Sequence, residues 1–198
     1  KQRLGASKGI SCVNCLFYRA NRPFFLEDNV EKLDKYLTWD MENRDKNGNG
    51  LLEWLTEPDY STSPEAMACK CGESGIDNSP RFDFDDDLDA IDFSVWAARD
   101  ALYLSYIYNE LGDAINSEKW NGTYENIKKT INELLWDEES GAYYDRLFNG
   151  TLSKVLTPTS FLPLFAGIPS KEQAAKMVKT LTDENLLWTR LPLATVSK

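Results

Sequence analysis

Apolar residues recur at intervals of three and four positions in separate segments of the chain, which is the spacing of amphipathic helices. The segments contain Val30, Leu33, Leu37 and Met41; Leu88, Ile91, Val95, Ala98 and Leu102; Ile127, Ile131 and Leu134; and Ala174, Met177, Val178 and Leu181. We expect the second helix to continue to about Leu111 and stop at Gly112, and the third to close near Trp136. Ser170 and Gln173 form a capping box before the fourth.

The helices are separated by compact loops rather than by a domain linker. A further helix is predicted over residues 11–20, and "GAYYDRLFNGT" (141–151) predicts a hairpin with Asn149-Gly150 at its tip. The unit of helix, loop and antiparallel helix repeats at a spacing of roughly 40 residues or more. An all-α helical toroid or solenoid is therefore expected, with short β-hairpins confined to loops.

Composition excludes several functional classes. The net charge of −10 disfavours nucleic acid and anionic membranes as partners, and no apolar run reaches the length of a membrane span. The 198 residues include no histidine, which excludes Ser-His-Asp and Cys-His triads within the chain. No phosphate-binding glycine loop is present. Acid and base chemistry must fall to Asp, Glu, Tyr or Lys.

Eight carboxylates lie between Glu73 and Asp92. Those at 85–87 precede a predicted helix, where carboxylates favour the positive end of the helix dipole. Helix-start electrostatics and solubility account for most of the run from Asp83 to Asp92, and the role of Asp89 is left open. Asp77 differs, because Gly75 and Pro80 bound its loop. A rigid carboxyl among aromatic residues suits a glycosidase acid, whose pKa rises on desolvation. On spacing alone, a structural role for Asp77 remains favoured.

The segment "DKNGNGLLE" matches the first half of a calcium loop. Asp45, Asn47 and Asn49 with Gly50 occupy positions 1, 3, 5 and 6 of the pattern. Position 12 is Thr56 rather than the bidentate Glu, and Glu53 at position 9 offers a carboxylate in a different geometry. The alternatives are a structural calcium site and an Asx-rich turn without metal.

Cysteines and glycosylation sequons bear on the compartment. Cys12 and Cys15 form one close pair of cysteines, and Cys69 and Cys71 form another. Disulfides linking the two pairs are expected if the protein is secreted, with the individual pairing left open, and a four-thiolate zinc site is the less favoured alternative. Asn121 and Asn149 each begin an Asn-Gly-Thr sequon. Together these favour a secretory or extracellular location. The chain has no initiating Met and no signal peptide, which favours a processed or excised fragment.

Two of the six tryptophans are candidates for binding a sugar. Trp54 follows the glycine-rich loop and Trp188 precedes Pro192 in an apolar loop. The C–H face of a sugar stacks on such rings, and simple packing is the alternative.

The order of several motifs resembles glycoside hydrolase family 63 and its bacterial relatives, which include mannosyl-oligosaccharide glucosidases and mannosylglycerate-type hydrolases. The matching segments are "NRDKNGNGLLEW", "ESGIDNSPRFD", "DLDAIDFSVWAARDALYLSYIYNELGD", "INELLWDEESGAYYD", "TPTSFLPLFAGIPSKEQA" and "LTDENLLW". The resemblance implies an (α/α)6 toroid and inverting hydrolysis of an α-glycoside by two carboxyl groups. It implies Asp77 as the general acid, with Arg81 and Asp89 shaping or charge-balancing the substrate pocket. No cofactor is implied for the reaction.

By comparison with that family, residues 1–198 are expected to be a fragment of one (α/α)6 catalytic domain. About half a toroid is present, carrying the acid but not the general base. We expect an oligosaccharide or α-glycoside as substrate, with the remaining part of the barrel in the same or another chain. Such a half should expose apolar helix faces. The alternative functions are a non-catalytic carbohydrate-binding or interaction protein on a partial glycosidase scaffold, and a four-thiolate metal protein.

Overall fold

The structure, a computed structural model, describes residues 23–54, 74–76, 79–84 and 87–197. Five α-helices lie in these ranges: α1 Pro23–Asn43, α2 Ile91–Glu110, α3 Ala114–Leu134, α4 Leu162–Phe165 and α5 Lys171–Leu181. Short 3-10 turns cover Pro80–Phe82 and Pro158–Phe161. The chain is mostly helical, as predicted. None of the helices in these ranges is both long and apolar enough to cross a bilayer.

Helix α2 is the centre of the core. Buried side chains surround most of its circumference, and polar residues such as Ser94 and Asp100 are buried along with the apolar ones. Helix α3 is amphipathic instead, and it buries Trp120, Tyr124, Ile127 and Ile131 at helical spacing. The link between the two helices is short, and Gly112 lies within it at φ +80°. Only glycine adopts this conformation without strain, so the predicted stop is confirmed.

The strands are two residues long and form two small antiparallel sheets. In the first, β2 Leu88–Asp89 lies between β1 Glu53–Trp54 and β5 Arg146–Leu147. In the second, β3 Trp136–Asp137 pairs with β4 Ala142–Tyr143. These sheets join distant loops at one end of the helices.

Two local predictions need correction. Leu88 belongs to β2 rather than to the helix, which begins at Ile91. In the predicted hairpin over 141–151, the turn at Asn149-Gly150 forms, since the Gly150 N–H donates to the Leu147 carbonyl at 2.8 Å. The flanking strands, however, pair mainly with β2 and β3.

The capping box of α5 is confirmed, with the Ser170 N–H donating to Gln173 Oε1 at 2.8 Å.

Asp34 on α1 ties together three helices. Its Oδ2 accepts hydrogen bonds from the Tyr108 hydroxyl of α2 at 2.7 Å and from the Trp120 indole N–H of α3 at 2.8 Å. Burial and the Asp34 carboxylate raise the pKa of Tyr108, which keeps its hydroxyl protonated as the donor. The Asp34 side chain is 18% exposed, so water replaces it poorly as an acceptor.

We expect Asp34→Ala to lower the free energy of unfolding by about 2–3 kcal/mol, because it leaves two largely buried donors without an acceptor. Urea denaturation of the purified protein measures this. Glu31→Ala on the same helix is the matched control. Glu31 is 82% exposed and pairs with the exposed Lys35 at 3.8 Å, so the loss of stability in this variant should stay within about 0.5 kcal/mol. Equal losses in the two variants would contradict the bridging role of Asp34.

Candidate active site

Strand alternation separates two groups of charged side chains across the three-stranded sheet. Successive residues of a strand point to opposite faces, so Glu53 and Trp54 diverge. Glu53 lies opposite Asp89, and Asp89 lies opposite Arg146, so these three side chains share one face. Asp145 precedes Arg146, so its side chain lies on the opposite face of the sheet, which is also the face of Trp54.

On the side of Trp54 and Asp145, Arg81 lies between two aspartates. Its Nη1 and Nη2 donate to Asp92 Oδ2 at 2.7 Å and to Asp92 Oδ1 at 3.0 Å. Its Nε and Nη2 donate to Asp145 Oδ2 and Oδ1, both at 2.7 Å. We call Arg81, Asp92 and Asp145 the Arg81 clamp. The paired forks hold the planar guanidinium in one orientation.

The clamp is buried, and its charges survive burial only because they are paired. Arg81 is 0% exposed and Asp145 is 2% exposed. Burial raises the pKa of Asp92, but Arg81 outweighs that effect and holds it below its ordinary value. Burial by itself would lower the pKa of Arg81. The carboxylates of Asp145 and Asp92 outweigh that effect and hold the pKa of Arg81 above its ordinary value. The arrangement is an ion triad with net charge −1.

Asp92 and Asp145 also fix the start of α2. Ala90, which precedes that helix, offers no side-chain cap. The N–H of Ile91 donates instead to Asp145 Oδ1 at 3.0 Å, and that of Phe93 to Asp92 Oδ1 at 2.9 Å. Both carboxylates therefore satisfy N–H groups at a helix end that would otherwise lack acceptors.

Trp54 joins the clamp through Asp92. Its indole N–H donates to Asp92 Oδ1 at 3.0 Å. Its ring stacks on Phe93 with centroids 4.5 Å apart and planes at 16°. The structure thus brings together two of the predicted sugar-site residues, Trp54 and Arg81, with Asp92 between them. Because Arg81 is fully buried, it supports the site from within rather than presenting its guanidinium to solvent.

On the opposite face, Asp89 accepts hydrogen bonds from side chains of the loop of residues 45–50. Its two oxygens accept the side-chain amides of Asn47 and Asn49, both at 2.7 Å. Oδ2 also pairs with Arg146 Nη1 at 3.1 Å. Asp89 is 0% exposed, so this predicted substrate-pocket residue organises the loop from inside.

The carboxylates of the predicted calcium loop accept backbone N–H groups. Asp45 accepts those of Asn49 and Gly50, each at 2.9 Å, and Glu53 accepts those of Lys46 at 2.8 Å and Asn47 at 3.0 Å. Burial raises the pKa of Glu53, and those two N–H groups partly offset the rise. Within the described ranges, no three Asp, Glu, Cys or His side chains cluster so that they could hold a metal ion. This geometry fits the Asx-rich turn, and calcium stays a prediction.

Several predicted residues lie apart from the clamp or outside the described residues. Trp188 lies in the segment after α5 and is 40% exposed. Its backbone N–H donates to the Asp183 carbonyl at 3.2 Å. Asn121 on α3 and Asn149 at its turn are both exposed. Glycosylation and a secretory location stay predictions. Asp77 and the four cysteines Cys12, Cys15, Cys69 and Cys71 lie outside the described residues.

Sequence reasoning missed the roles of Asp92 and Asp145. By its position in the sequence, Asp92 resembles the other helix-start carboxylates, and Asp145 lies in "YYDRL", which matches no catalytic or metal-binding motif. Their partner Arg81 lies 11 and 64 positions away along the chain. The available signal was that each carboxylate interrupts an apolar segment, "AIDF" and "YYDRL", where burial requires a cationic partner.

Among curated proteins, the similar ones include a protein of Borreliella burgdorferi and fungal trehalases. A protein of Borreliella burgdorferi is 28% identical over 182 residues, covering 92% of this chain and 34% of its own length. The cytosolic neutral trehalase of Kluyveromyces lactis is 41% identical over 66 residues, 32% of this chain and 8% of the trehalase. The chain thus spans about a third or less of these relatives.

Among solved structures, the GH63 mannosylglycerate hydrolase from Thermus thermophilus in complex with glucose superposes with a TM-score of 0.71 at 20% identity, covering 96% of this chain and 54% of that one. This likeness establishes the fold, part of an (α/α)6 toroid, as predicted. The mannosylglycerate hydrolase MGH1-like glycoside hydrolase domain matches residues 13–198. The chain therefore belongs to the MGH1-like glycoside hydrolase family.

Proposed function

We propose that this chain is the acid-bearing part of an inverting α-glycoside hydrolase of the α-glucosidase or α-mannosidase class, acting on an oligosaccharide. Family membership supports the reaction class. The observation that carries the proposal is the Arg81 clamp. It anchors the segment that follows Asp77 beside Trp54, a side chain suited to stack on a sugar.

In the proposed reaction, Asp77 protonates the glycosidic oxygen as the bond to the anomeric carbon breaks. A second carboxylate deprotonates a water molecule, which attacks that carbon from the opposite face of the ring. The two carboxyl groups of inverting enzymes stand about 6.5–9.5 Å apart to admit the water. The carboxylates of Asp92 and Asp145 are paired with Arg81, and we assign the base to another part of the toroid.

The names of similar proteins suggest substrates to test. Two curated relatives are cytosolic neutral trehalases and one solved neighbour is a mannosylglycerate hydrolase. Trehalose and mannosylglycerate are therefore the first substrates to test for this chain.

We propose that further helices of the toroid, in the same or another chain, complete the catalytic domain. Large apolar side chains are exposed on α2 and α4, including Tyr106 at 44% and Phe165 at 58%. The Arg99 guanidinium lies 3.3 Å from the centroid of the Phe165 ring. Exposed aromatic surface of this kind is normally covered by a packing partner.

The stereochemistry of the products tests the reaction class. We expect the full-length protein to release β-glucose and α-glucose in equal amounts from trehalose, because inversion converts only the attacked anomeric centre. Proton NMR recorded within minutes of mixing, before mutarotation, distinguishes the two anomers. With mannosylglycerate, β-mannose should appear first. Initial release of the α-anomer alone would contradict inversion.

The second candidate is a carbohydrate-binding protein without hydrolysis. It is favoured by the fact that the clamp carboxylates and Asp89 are occupied by Arg81, Arg146 and asparagine amides, so none of these three is placed to act as a base. Calorimetry with the same sugars discriminates the two functions. Saturable binding of an unhydrolysed sugar by the full-length protein would favour this second candidate.

A further inference from the structure

We infer that Asp92 and Phe93 are positioning residues that hold the indole of Trp54 as a one-sided stacking surface for a sugar. The ligand class is the pyranose ring of a glycoside, recognised by its C–H face. The inference rests on the proposed function in one respect, which is that the site beside Trp54 binds a sugar. It adds which residues make that side chain rigid and which kind of contact the side chain offers.

The edge of the Trp54 ring is fixed by Asp92. The indole N–H donates to Asp92 Oδ1 at 3.0 Å. Asp92 is 4% exposed, and its carboxylate is held in turn by two hydrogen bonds from Arg81, at 2.7 and 3.0 Å. A charged acceptor that is itself buried and paired cannot follow a rotation of the ring. The indole therefore keeps one orientation in its own plane.

One face of the indole is covered by Phe93. The two rings are nearly parallel, with planes at 16° and centroids 4.5 Å apart. Phe93 is 4% exposed, so the covered face of the indole lies against the core. Asp92 and Phe93 are consecutive residues in the first turn of α2, whereas Trp54 lies in β1 and pairs there with Leu88. The strand and the helix turn thus constrain the backbone, the edge and one face of the same residue.

The remaining surface of Trp54 fits the C–H face of a sugar. Trp54 is partly exposed, and its ring contact within the described part of the chain is with Phe93. Nε1 is the only hydrogen-bond donor of an indole, and Asp92 already accepts from it. The free face therefore offers a negative π surface, which attracts the C–H groups of a pyranose and repels an anion.

The charged neighbours of the indole are already paired. Arg81 is fully buried and makes four hydrogen bonds to Asp92 and Asp145. Asp145 is 2% exposed and accepts from Arg81 and the Ile91 N–H. Stacking is therefore the contact that this cluster offers a sugar. It acts equally on the bound sugar before and during bond cleavage, so its loss should appear mainly in KM.

Kinetics of the full-length protein on phenyl α-glucoside and phenyl α-mannoside test the stacking surface. We expect Trp54→Ala to raise KM about tenfold, the effect of losing one stacked aromatic ring, and to lower kcat less. Phe93→Leu keeps an apolar side chain but loses the flat support, and Asp92→Asn weakens the hold on the ring edge. Each of these two variants should raise KM about threefold, since the indole remains but is no longer fixed.

A double-mutant cycle separates positioning from a general loss of packing. If Asp92 and Phe93 act through Trp54, their substitutions should have little left to change once the indole is gone. Phe93→Leu and Asp92→Asn should therefore each alter KM by less than about 1.5-fold in the Trp54→Ala background. A threefold effect that persists in that background would overturn the positioning role.

The matched control is Phe161→Leu. Phe161 is also a buried phenylalanine, 7% exposed, and lies in the 3-10 turn Pro158–Phe161. This variant should lose stability, measured by urea denaturation, without raising KM. Should Phe93→Leu fail to fold, Phe93→Met enters the same cycle, because an unbranched apolar side chain adapts better to the site.

Calorimetry with methyl α-glucoside and methyl α-mannoside separates failure of the inference from failure of the proposed function. If the full-length protein hydrolyses glycosides and Asp77→Asn abolishes this, but Trp54→Ala leaves KM and sugar binding unchanged, the function stands and the inference falls. If the protein binds the methyl glycosides without hydrolysing any glycoside, and Trp54→Ala weakens binding about tenfold, the proposed hydrolysis falls and the inference stands. Absence of both binding and hydrolysis would overturn both.

Discussion

Replacing Asp77 by Asn is expected to lower kcat/KM for glycosides with a sugar or phenyl leaving group by about 10²–10⁴-fold, the usual contribution of a positioned general acid. Asparagine has nearly the shape of aspartic acid but no proton to give to the departing oxygen. Activity on 2,4-dinitrophenyl glycosides should largely survive, since that leaving group needs no proton. Steady-state kinetics of the full-length protein on both substrate types measures the difference.

The control for this substitution is Asp83→Asn, which lies within the same acidic stretch. It removes one negative charge from the region, so a purely electrostatic effect of the stretch would appear in both variants. A similar loss in the two would show that Asp77 is not the specific proton donor.

The second large effect concerns stability. Arg81→Met is expected to lower the free energy of unfolding by about 3–5 kcal/mol, because it leaves two buried carboxylates without their cation. Urea denaturation measures this loss. Arg190→Met, at an exposed position, is the matched control and should change stability by less than about 0.5 kcal/mol.

The pH dependence of that loss has a defined sign. In the native protein the pKa of Asp92 lies below its ordinary value, so its pairing stabilises the fold above the ordinary carboxyl pKa, and this contribution is lost as the pH falls through the lowered value. Without Arg81, burial is left to raise the pKa of Asp92, and protonation of that carboxyl relieves the penalty. The difference between wild type and Arg81→Met should therefore shrink between about pH 7 and pH 4. A difference that does not change over this range would contradict the ionic origin of the loss.

Local signals in the sequence predicted four of the five α-helices in the described residues, α4 being the exception, and the helix predicted over residues 11–20 lies outside them. The apolar spacing of Val30, Leu33 and Leu37 and the stop at Gly112 depend on residues only a few positions apart, and so does the Ser170 capping box. The family resemblance added the (α/α)6 arrangement, which periodicity alone left open between a toroid and a solenoid.

The strand pairing and the clamp could not be predicted in this way. β5 pairs with β2 nearly sixty positions earlier, and two-residue strands carry too little alternation to indicate a partner. Proximity to a helix predicts solvated, helix-start carboxylates over most of the acidic stretch, yet Asp89 and Asp92 are both buried and are paired with residues from other segments. Net charge along a sequence does not distinguish a solvated carboxylate from one that a distant arginine neutralises.

The neighbouring residues Asp145 and Arg146 determine the register in which β5 pairs with β2 in the three-stranded sheet. Arg146 now lies opposite Asp89. A slip of one residue would place Asp145 against Asp89 and turn Arg146 toward Arg81. Glu53, Asp89 and Asp145 would then place three carboxylates on one face without Arg146, and Arg81 would lose Asp145 while Arg146 approached it, which is unfavourable in a buried site. Strands of two residues have few backbone hydrogen bonds to select their alignment, so the opposite charges at 145 and 146 favour the observed register over the shifted one.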